Sequence, residues 1–189
     1  MCMLRPMGVG PRTMSMYFKA LRFYWRNALI ALVVFAGGFS AVPARADCTD
    51  APAPGVDWRR CYQDGRDFAG ADLSRAQLRD ASFTRADLAK ATFDGADAYR
   101  AKFYSANMAG VSFAAARVAE ADFSEADLTG ALFIKADMRG AKLVAADLRG
   151  ADFTGANLRG ADFFRAQLGG ALWTDGKTRC AVRSIGQCN

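Results

Sequence analysis

Residues 68–173 repeat with a period of five, and this repeat restricts the fold more than any other feature of the chain. Every fifth residue from Phe68 to Trp173 is apolar, at 22 successive positions without a break. Alanine stands two residues before 20 of these 22 positions, the exceptions being Arg66 and Val111. This period fits neither an amphipathic helix, which repeats about every 3.6 residues, nor a flat strand, which alternates about every 2. The backbone must therefore turn once in each pentapeptide, with the large residue and the alanine pointing inward.

The alternation of residue types along the repeat is consistent with four sides for each coil. If residues 20 apart stack, two opposite inner columns hold nine aromatic residues among eleven, whereas the other two columns hold one, Phe68. Outside, opposite charges alternate in the same register, because stacked neighbours of opposite sign attract each other. Units this short cannot bury a face alone, so only stacked coils can close a core. The two predicted charge ladders are Lys102, Asp122, Lys142, Asp162 and Asp97, Arg117, Asp137.

The repeated motif Ala-(Asp/Asn)-(Leu/Phe)-x-x, as in Ala121-Asp122-Phe123, resembles that of the pentapeptide-repeat proteins. The resemblance covers residues 66–175, and the segment from Trp173 to Cys188 looks like the terminal motif of exported bacterial members. It implies an all-β fold, a right-handed, four-sided parallel β-helix of about five and a half coils. A topoisomerase-binding DNA mimic is known within this family, so the resemblance makes that function one alternative.

Residues 1–46 have the layout of a secretory signal peptide. A basic segment precedes an apolar run over residues 28–36, and a small-x-small site ends at Ala46. This run is too short for a membrane-spanning helix, which needs about 20 apolar residues, so an uncleaved anchor is the less favoured alternative. We expect a signal-peptide helix that is cut after Ala46, with translation starting at Met1, Met14 or Met16. The mature chain is then periplasmic or secreted and meets the membrane only during export.

The chain is electrically neutral outside this leader. Lys and Arg number 25 against 19 Asp and Glu, but the excess of six lies before residue 47. A neutral repeat array argues against a basic nucleic-acid-binding protein and also against an acidic DNA mimic. Histidine is absent, so no imidazole can serve as a general base or metal ligand. We therefore expect no nucleic-acid partner, no cofactor and no metal.

Four cysteines flank the repeats, Cys48 and Cys61 before them and Cys180 and Cys188 after them. An even number of cysteines in an exported chain favours disulfides. Three pairings are possible, and we favour the local one because the repeat array would hold the two pairs apart. Zinc binding is the alternative, but spacings of 13 and 8 residues do not match zinc-finger patterns. The predicted division is thus an N-terminal cap over 47–65, the β-helix over 66–175 and a C-terminal cap over 176–189.

Catalysis has little support in the sequence. Enzymes built on other β-helices use clustered acids on one wall, and Asp127 stacks on Asp147 with Asp87 nearby. Aspartate is also the default residue of the repeat at these positions, so we interpret all three as solvated residues that bond the corners. A polysaccharide-active enzyme is the alternative, and it is disfavoured because an unbroken array provides no long loops for a cleft.

One outer feature departs from a polar surface. Tyr104, Val144 and Phe164 stack on one wall in the predicted register, and Leu132 and Ile134 are placed on a neighbouring wall. Outward apolar residues can mark contacts with another protein. We interpret Tyr104, Val144 and Phe164 as a strip that contacts an unknown protein partner or a second copy of the chain. The sequence therefore predicts an exported, non-enzymatic scaffold or protein-interaction module.

Overall fold

The computed structural model describes residues 47–189, so the predicted signal peptide lies outside the described residues. Within 47–189 the backbone contains no helix and no strand longer than a single bridge. Parallel bridges instead join residues 20 apart at every fifth position, from Asp57–Gln77 to Asp152–Leu172. Four pentapeptides thus complete one coil, which confirms the predicted four-sided solenoid. No helix formed by residues 47–189 is long and apolar enough to span a membrane.

The solenoid has four walls, each formed by the pentapeptides that stack at intervals of 20 residues. We number the walls in chain order by their bridged residues. These are Asp57, Gln77, Asp97, Arg117, Asp137 and Asn157 in wall 1; Tyr62, Ser82, Lys102, Asp122, Lys142 and Asp162 in wall 2; Asp67, Asp87, Asn107, Asp127, Asp147 and Gln167 in wall 3; and Asp72, Thr92, Ser112, Leu132, Asp152 and Leu172 in wall 4.

The corners between walls have one backbone conformation throughout. Every fifth residue from Gly55 to Gly170 has a positive φ, between 52° at Ser105 and 75° at Gly55. This left-handed region is costly for most side chains and worst for β-branched ones, and no Val, Ile or Thr occupies any of these positions. The bridged Asp or Asn supports the same corner, since its carboxylate or amide oxygen accepts the N–H two residues later, as Asp122 does from Ser124 at 3.0 Å.

The core consists of stacked side chains, as the sequence predicts. The inward residues of walls 2 and 4 are mostly phenylalanine, and rings of one wall stack in a column, with 5.0 Å between the centroids of Phe103 and Phe123. Rings from the two opposite walls meet edge to face, as Phe113 and Phe123 do at 5.7 Å. Apart from Trp58 and Phe68 in the first coil, Leu, Met, Val and Ala fill the inward positions of walls 1 and 3, and the inward alanines lie buried beside them.

The coil geometry begins at Val56, earlier than the boundary at residue 66 that the sequence predicts. Asp57 and Tyr62 already make parallel bridges to the next coil, and Trp58 is fully buried. Gln63 occupies the inward position between those of Trp58 and Phe68. Because this buried residue is polar, a search for apolar periodicity does not detect the first coil. The Gln63 amide donates to the carbonyl oxygen of Cys48 at 2.9 Å and accepts from Arg66 at 2.5 Å, so neither amide atom is left without a partner.

The C-terminal segment folds back over the last coil. It pairs antiparallel with wall 3 at Gln167–Ile185 and with wall 4 at Leu172–Arg179. Gly169 allows this close approach, because a Cβ atom there would lie 2.5 Å from the carbonyl oxygen of Val182. The backbone edge of the last coil on walls 3 and 4 is therefore covered by the chain itself.

Both disulfides are local. Cys48 pairs with Cys61, whose Cα lies 5.3 Å away, and Cys180 pairs with Cys188 at 4.7 Å. Cys61 stands at an inward position of the first coil, where later pentapeptides have alanine, and it is buried. Cys180 is buried against the last coil. The first disulfide thus ties the N-terminal segment to the solenoid, whereas the second closes a loop within the C-terminal segment.

Candidate interaction surface

The strip Tyr104, Val144 and Phe164 follows wall 2, one residue after the inward phenylalanine or leucine of each coil. Tyr104 is 40% exposed and Phe164 is 60% exposed, whereas Val144 is half-buried. The 20-residue register places Ser124 between Tyr104 and Val144. The exposed apolar area of the strip is therefore concentrated at its C-terminal end, around Phe164.

Tyr104 is held by polar contacts. Its hydroxyl donates to Glu125 at 2.7 Å, and the Ser105 hydroxyl donates to the same carboxylate at 3.0 Å. The hydrogen bond to the Glu125 carboxylate raises the pKa of Tyr104, because it stabilises the protonated phenol. The ring of Tyr104 is thus fixed at one edge of the strip and presents both an aromatic face and a polar group.

Phe164 has fewer restraints. Its backbone N–H donates to Asp162 at 2.9 Å, and the Arg165 guanidinium lies 5.1 Å from its ring centroid. The C-terminal segment adds two exposed apolar side chains, Val182 and Ile185. They follow no repeat, so periodicity gives no signal for them. Ile185 bridges Gln167 of wall 3, in the same last coil as Phe164.

Leu132 and Ile134 lie on wall 4 and not on a wall next to the strip, so the predicted placement of these two residues is wrong. Bridges join positions 20 apart, and positions that differ by half of that interval stand on opposite walls. Leu132 is exposed and Ile134 is half-buried. Leu132 and Ile134 therefore cannot extend the strip, and they provide an apolar control position on the opposite wall.

The three aspartates considered for catalysis are engaged in local hydrogen bonds. Asp127 accepts the backbone N–H and the hydroxyl of Thr129, at 3.0 and 2.8 Å. Asp87 accepts from the backbone of Ala89 and from the side-chain amide of Asn107.

Asp147, the third of these aspartates, forms a two-point ion pair with Arg149. The Nε and Nη2 atoms of the guanidinium contact the carboxylate oxygens. Hydrogen bonding to Arg149 lowers the pKa of Asp147 and keeps the carboxylate ionised. Across the described part of the chain, no group of three or more acidic or cysteine side chains is placed to hold a metal ion.

The predicted charge ladders have the expected register but differ in their contacts. Arg117 lies 3.6 Å from Asp97, as the second ladder predicts. Among residues 47–189 the first ladder makes no ion pair, and its aspartates, Asp122 and Asp162, accept N–H groups of their own pentapeptides. An exposed ion pair contributes only about 0–1 kcal/mol, so the ladder that lacks one loses little stability.

Two models of pentapeptide-repeat families match the chain. "Pentapeptide repeat region" matches residues 76–153 and "Pentapeptide repeats (8 copies)" matches residues 141–171, so the two together span about half of the chain. No curated protein matches it.

Solved structures of pentapeptide-repeat proteins resemble the chain. A protein from the thylakoid lumen of Arabidopsis thaliana is 28% identical with a TM-score of 0.41, over 65% of this chain and 83% of that one. Rfr23 from the cyanobacterium Cyanothece 51142 is 22% identical with a TM-score of 0.43, over 59% and 90%. QnrB1, a plasmid-mediated fluoroquinolone resistance protein, is 22% identical with a TM-score of 0.36, over 64% and 70%. With its five-residue register, its 20-residue coils and both family matches, the chain belongs to the pentapeptide-repeat family.

Proposed function

We propose that this protein is an exported, non-enzymatic scaffold that binds another protein, or a second copy of itself, through the strip Tyr104, Val144 and Phe164. The observation that carries the proposal is the exposure of Phe164, which is 60% accessible on a wall whose other outward positions are mostly polar. Covering a large apolar side chain on a rigid surface with a partner contributes favourably to the free energy of binding. The solenoid supplies the rigidity, because every wall is fixed by backbone hydrogen bonds to adjacent coils.

The architecture favours binding over catalysis. Bridges recur at every fifth position from Asp57 to Leu172, so the corners between them are short and build no deep cleft. The aspartates that could act as acids already bond to their own corners. A topoisomerase-binding DNA mimic is not favoured, since such a function needs a strongly acidic surface and residues 47–189 carry as many basic as acidic residues.

Export is supported by the leader pattern and by the cysteines. Two disulfides in a small chain suit an oxidising compartment, outside the cytosol. Fractionation of cells that express the tagged full chain should find the protein in the periplasm or the medium. Its intact mass without reductant should correspond to cleavage after Ala46 and to four oxidised thiols. A cytosolic protein that keeps its leader would contradict export without affecting the binding proposal.

The strip is tested by the variant Phe164→Ser, with Leu132→Ser on the opposite wall as the matched control. Both changes remove an exposed apolar side chain, so both variants should keep the parent's melting curve. Only Phe164→Ser should lower the sedimentation coefficient of a self-associating protein, or abolish crosslinking to a partner that the parent captures. If both variants behave like the parent in sedimentation and in crosslinking, the strip is not an interaction surface.

A further inference from the structure

A second surface feature lies on wall 1, away from the strip. It is a shallow cleft, open to solvent, with a volume of about 510 Å³ near the N-terminal end of the solenoid, and its lining contains three guanidinium groups and one carboxylate. Clefts of this volume are within the range that small organic ligands occupy. The residues that line it are Arg59, Arg60, Arg79, Asp80 and Tyr99.

Two of the guanidiniums are already held in place. Arg59 uses its Nε and Nη2 atoms to bind Asp57 at 2.8 and 2.6 Å, and within residues 47–189 its Nη1 atom makes no hydrogen bond. Arg79 approaches Asp97 through its Nε atom at 3.6 Å and lies 5.3 Å from the ring centroid of Tyr99. A guanidinium whose position is fixed by one partner loses less conformational entropy when it binds another.

Arg60 is the third guanidinium, and its side chain makes no ion pair or hydrogen bond within the described part of the chain. Its backbone is fixed at the corner with a φ of 61°, and its N–H donates to the carbonyl oxygen of Arg79. The single carboxylate of the cleft, Asp80, is partly neutralised by Arg100 at 3.7 Å. Arg60 therefore gives the cleft a positive charge that no described neighbour balances.

The floor of the cleft is also fixed. The hydroxyl of Tyr99 donates to Glu120 at 3.0 Å, and the guanidinium of Arg117 lies 4.8 Å from the centroid of the Tyr99 ring. Arg117 in turn contacts Asp97, which also holds Arg79. These contacts join three consecutive coils, so the aromatic ring of Tyr99 and the guanidiniums of Arg79 and Arg117 keep their spacing without a ligand.

We propose that this cleft binds an oxyanion, a phosphate or sulfate ester carried on a small organic body such as a sugar. Guanidiniums match the geometry of tetrahedral oxyanions and bind them through charge-assisted hydrogen bonds. The volume exceeds that of an inorganic ion, so the cleft has room for the body of the ligand beside Tyr99. The surface is independent of the strip, which is on wall 2.

Calorimetric titration of the disulfide-bonded protein tests the cleft with glucose 6-phosphate and glucose 6-sulfate as probes and glucose as the uncharged reference. Saturable binding of at least one ester, weakened by added salt, is the expected result. The preferred ester distinguishes a phosphorylated from a sulfated ligand. No saturable binding of either ester, or equal binding of glucose, would overturn the proposal.

Arg60→Gln and Arg159→Gln provide the matched pair of variants. Both arginines lie on wall 1 without an ion-pair partner among the described residues, but Arg159 is remote from the cleft. Arg60→Gln should weaken ester binding about tenfold, the effect of losing one charge-assisted hydrogen bond, whereas Arg159→Gln should not change it. Equal weakening by both variants would show general charge attraction and refute the site. The melting temperatures of both variants should equal that of the parent, so that any loss of binding is separate from folding.

Discussion

Phe123 shows how one inward side chain joins successive coils. Its ring is fully buried, stacks on Phe103 at 5.0 Å and meets Phe113 and Phe133 edge to face at 5.7 and 5.9 Å. The backbone around it is fixed by hydrogen bonds to the adjacent coils, so the surroundings cannot collapse into a space left by a smaller residue.

Phe123→Ala should therefore lower the free energy of unfolding by about 3–5 kcal/mol, through lost burial and an unfilled cavity. Denaturant unfolding followed by circular dichroism measures this change. Phe164→Ala is the control, because the same truncation at a 60% exposed position should cost less than about 0.5 kcal/mol. Equal losses in the two variants would refute the inward role of Phe123.

The corner residues show a second constraint, set by the backbone alone. Ala115 is exposed, yet its φ is 55°, so its side chain contributes strain without packing. Ala115→Gly should be neutral or stabilising by up to about 1 kcal/mol, because relief of strain exceeds the added entropy of the unfolded chain. Ala115→Val should destabilise by about 1–2 kcal/mol, since branching at Cβ crowds this conformation further. Thermal unfolding of both variants checks this order, and a more stable Val variant would contradict it.

At the scale of the structural element, the position of the C-terminal segment depends on the close approach of Val182 to Gly169. Positions equivalent to Gly169 in earlier coils of wall 3 hold Ala69, Ala89, Ala109, Thr129 and Arg149, so the wall itself accepts a side chain there. At Gly169 a methyl group would collide with the carbonyl oxygen of Val182. Glycine is needed at position 169 because the returning segment passes close to it, and not because of the conformation of a corner. The repeat pattern alone therefore does not predict this glycine.

Gly169→Ala should displace the returning segment and cost about 1–3 kcal/mol, the usual range for overpacking. Hydrogen exchange should then accelerate at the amides of Leu168 and Gly186, which bond across this junction. Ala109→Gly is the matched control at an equivalent position, where no returning segment passes. If exchange at those two amides is unchanged in Gly169→Ala, the close approach is not required.

Asp175 stabilises the turn that leads into the same segment. The Thr178 hydroxyl and the backbone N–H groups of Thr178 and Lys177 donate to its carboxylate, and they lower its pKa from 3.8 to about 2. Because the folded value lies below the unfolded one, the turn gains stability above about pH 4 and loses it as the pH falls through 2. Carbon-detected titration of the carboxyl should give this depressed midpoint, and Thr178→Val should raise it. A midpoint near 3.8 in the parent would contradict the bonded turn.

At the scale of the whole molecule, the sequence predicts the solenoid because one residue type returns to one environment every five positions. The inward columns from Phe68 onward follow from that rule, and so does the opposition of the two aromatic walls. The first coil escapes it, because Gln63 is buried through side-chain hydrogen bonds that periodicity cannot reveal. Of the candidate surface, the column of Tyr104 and Phe164 is predictable. The bond from Tyr104 to Glu125 is not, since it crosses coils through side-chain rotamers.

A disulfide lies at each end of the solenoid. Serine replacement of Cys48 and Cys61, or of Cys180 and Cys188, should each lower the free energy of unfolding by about 2–4 kcal/mol, because the unfolded chain gains loop entropy. The difference between the melting temperatures with and without reductant measures the effect in the parent. In each double variant this difference should be smaller than in the parent but not zero, because one disulfide remains. A parent whose melting is insensitive to reductant would show that the ends are held by packing alone.

The interval of 20 residues between bridged positions also limits how a chain of this kind can change in length. Adding or deleting one full coil returns each later residue to its former wall and keeps phenylalanine opposite phenylalanine. Adding a single pentapeptide rotates everything after it by a quarter turn, which places aromatic rings beneath columns of leucine and moves Phe164 onto another face. Lineages that diverge from this protein should therefore gain or lose whole coils more readily than single repeats.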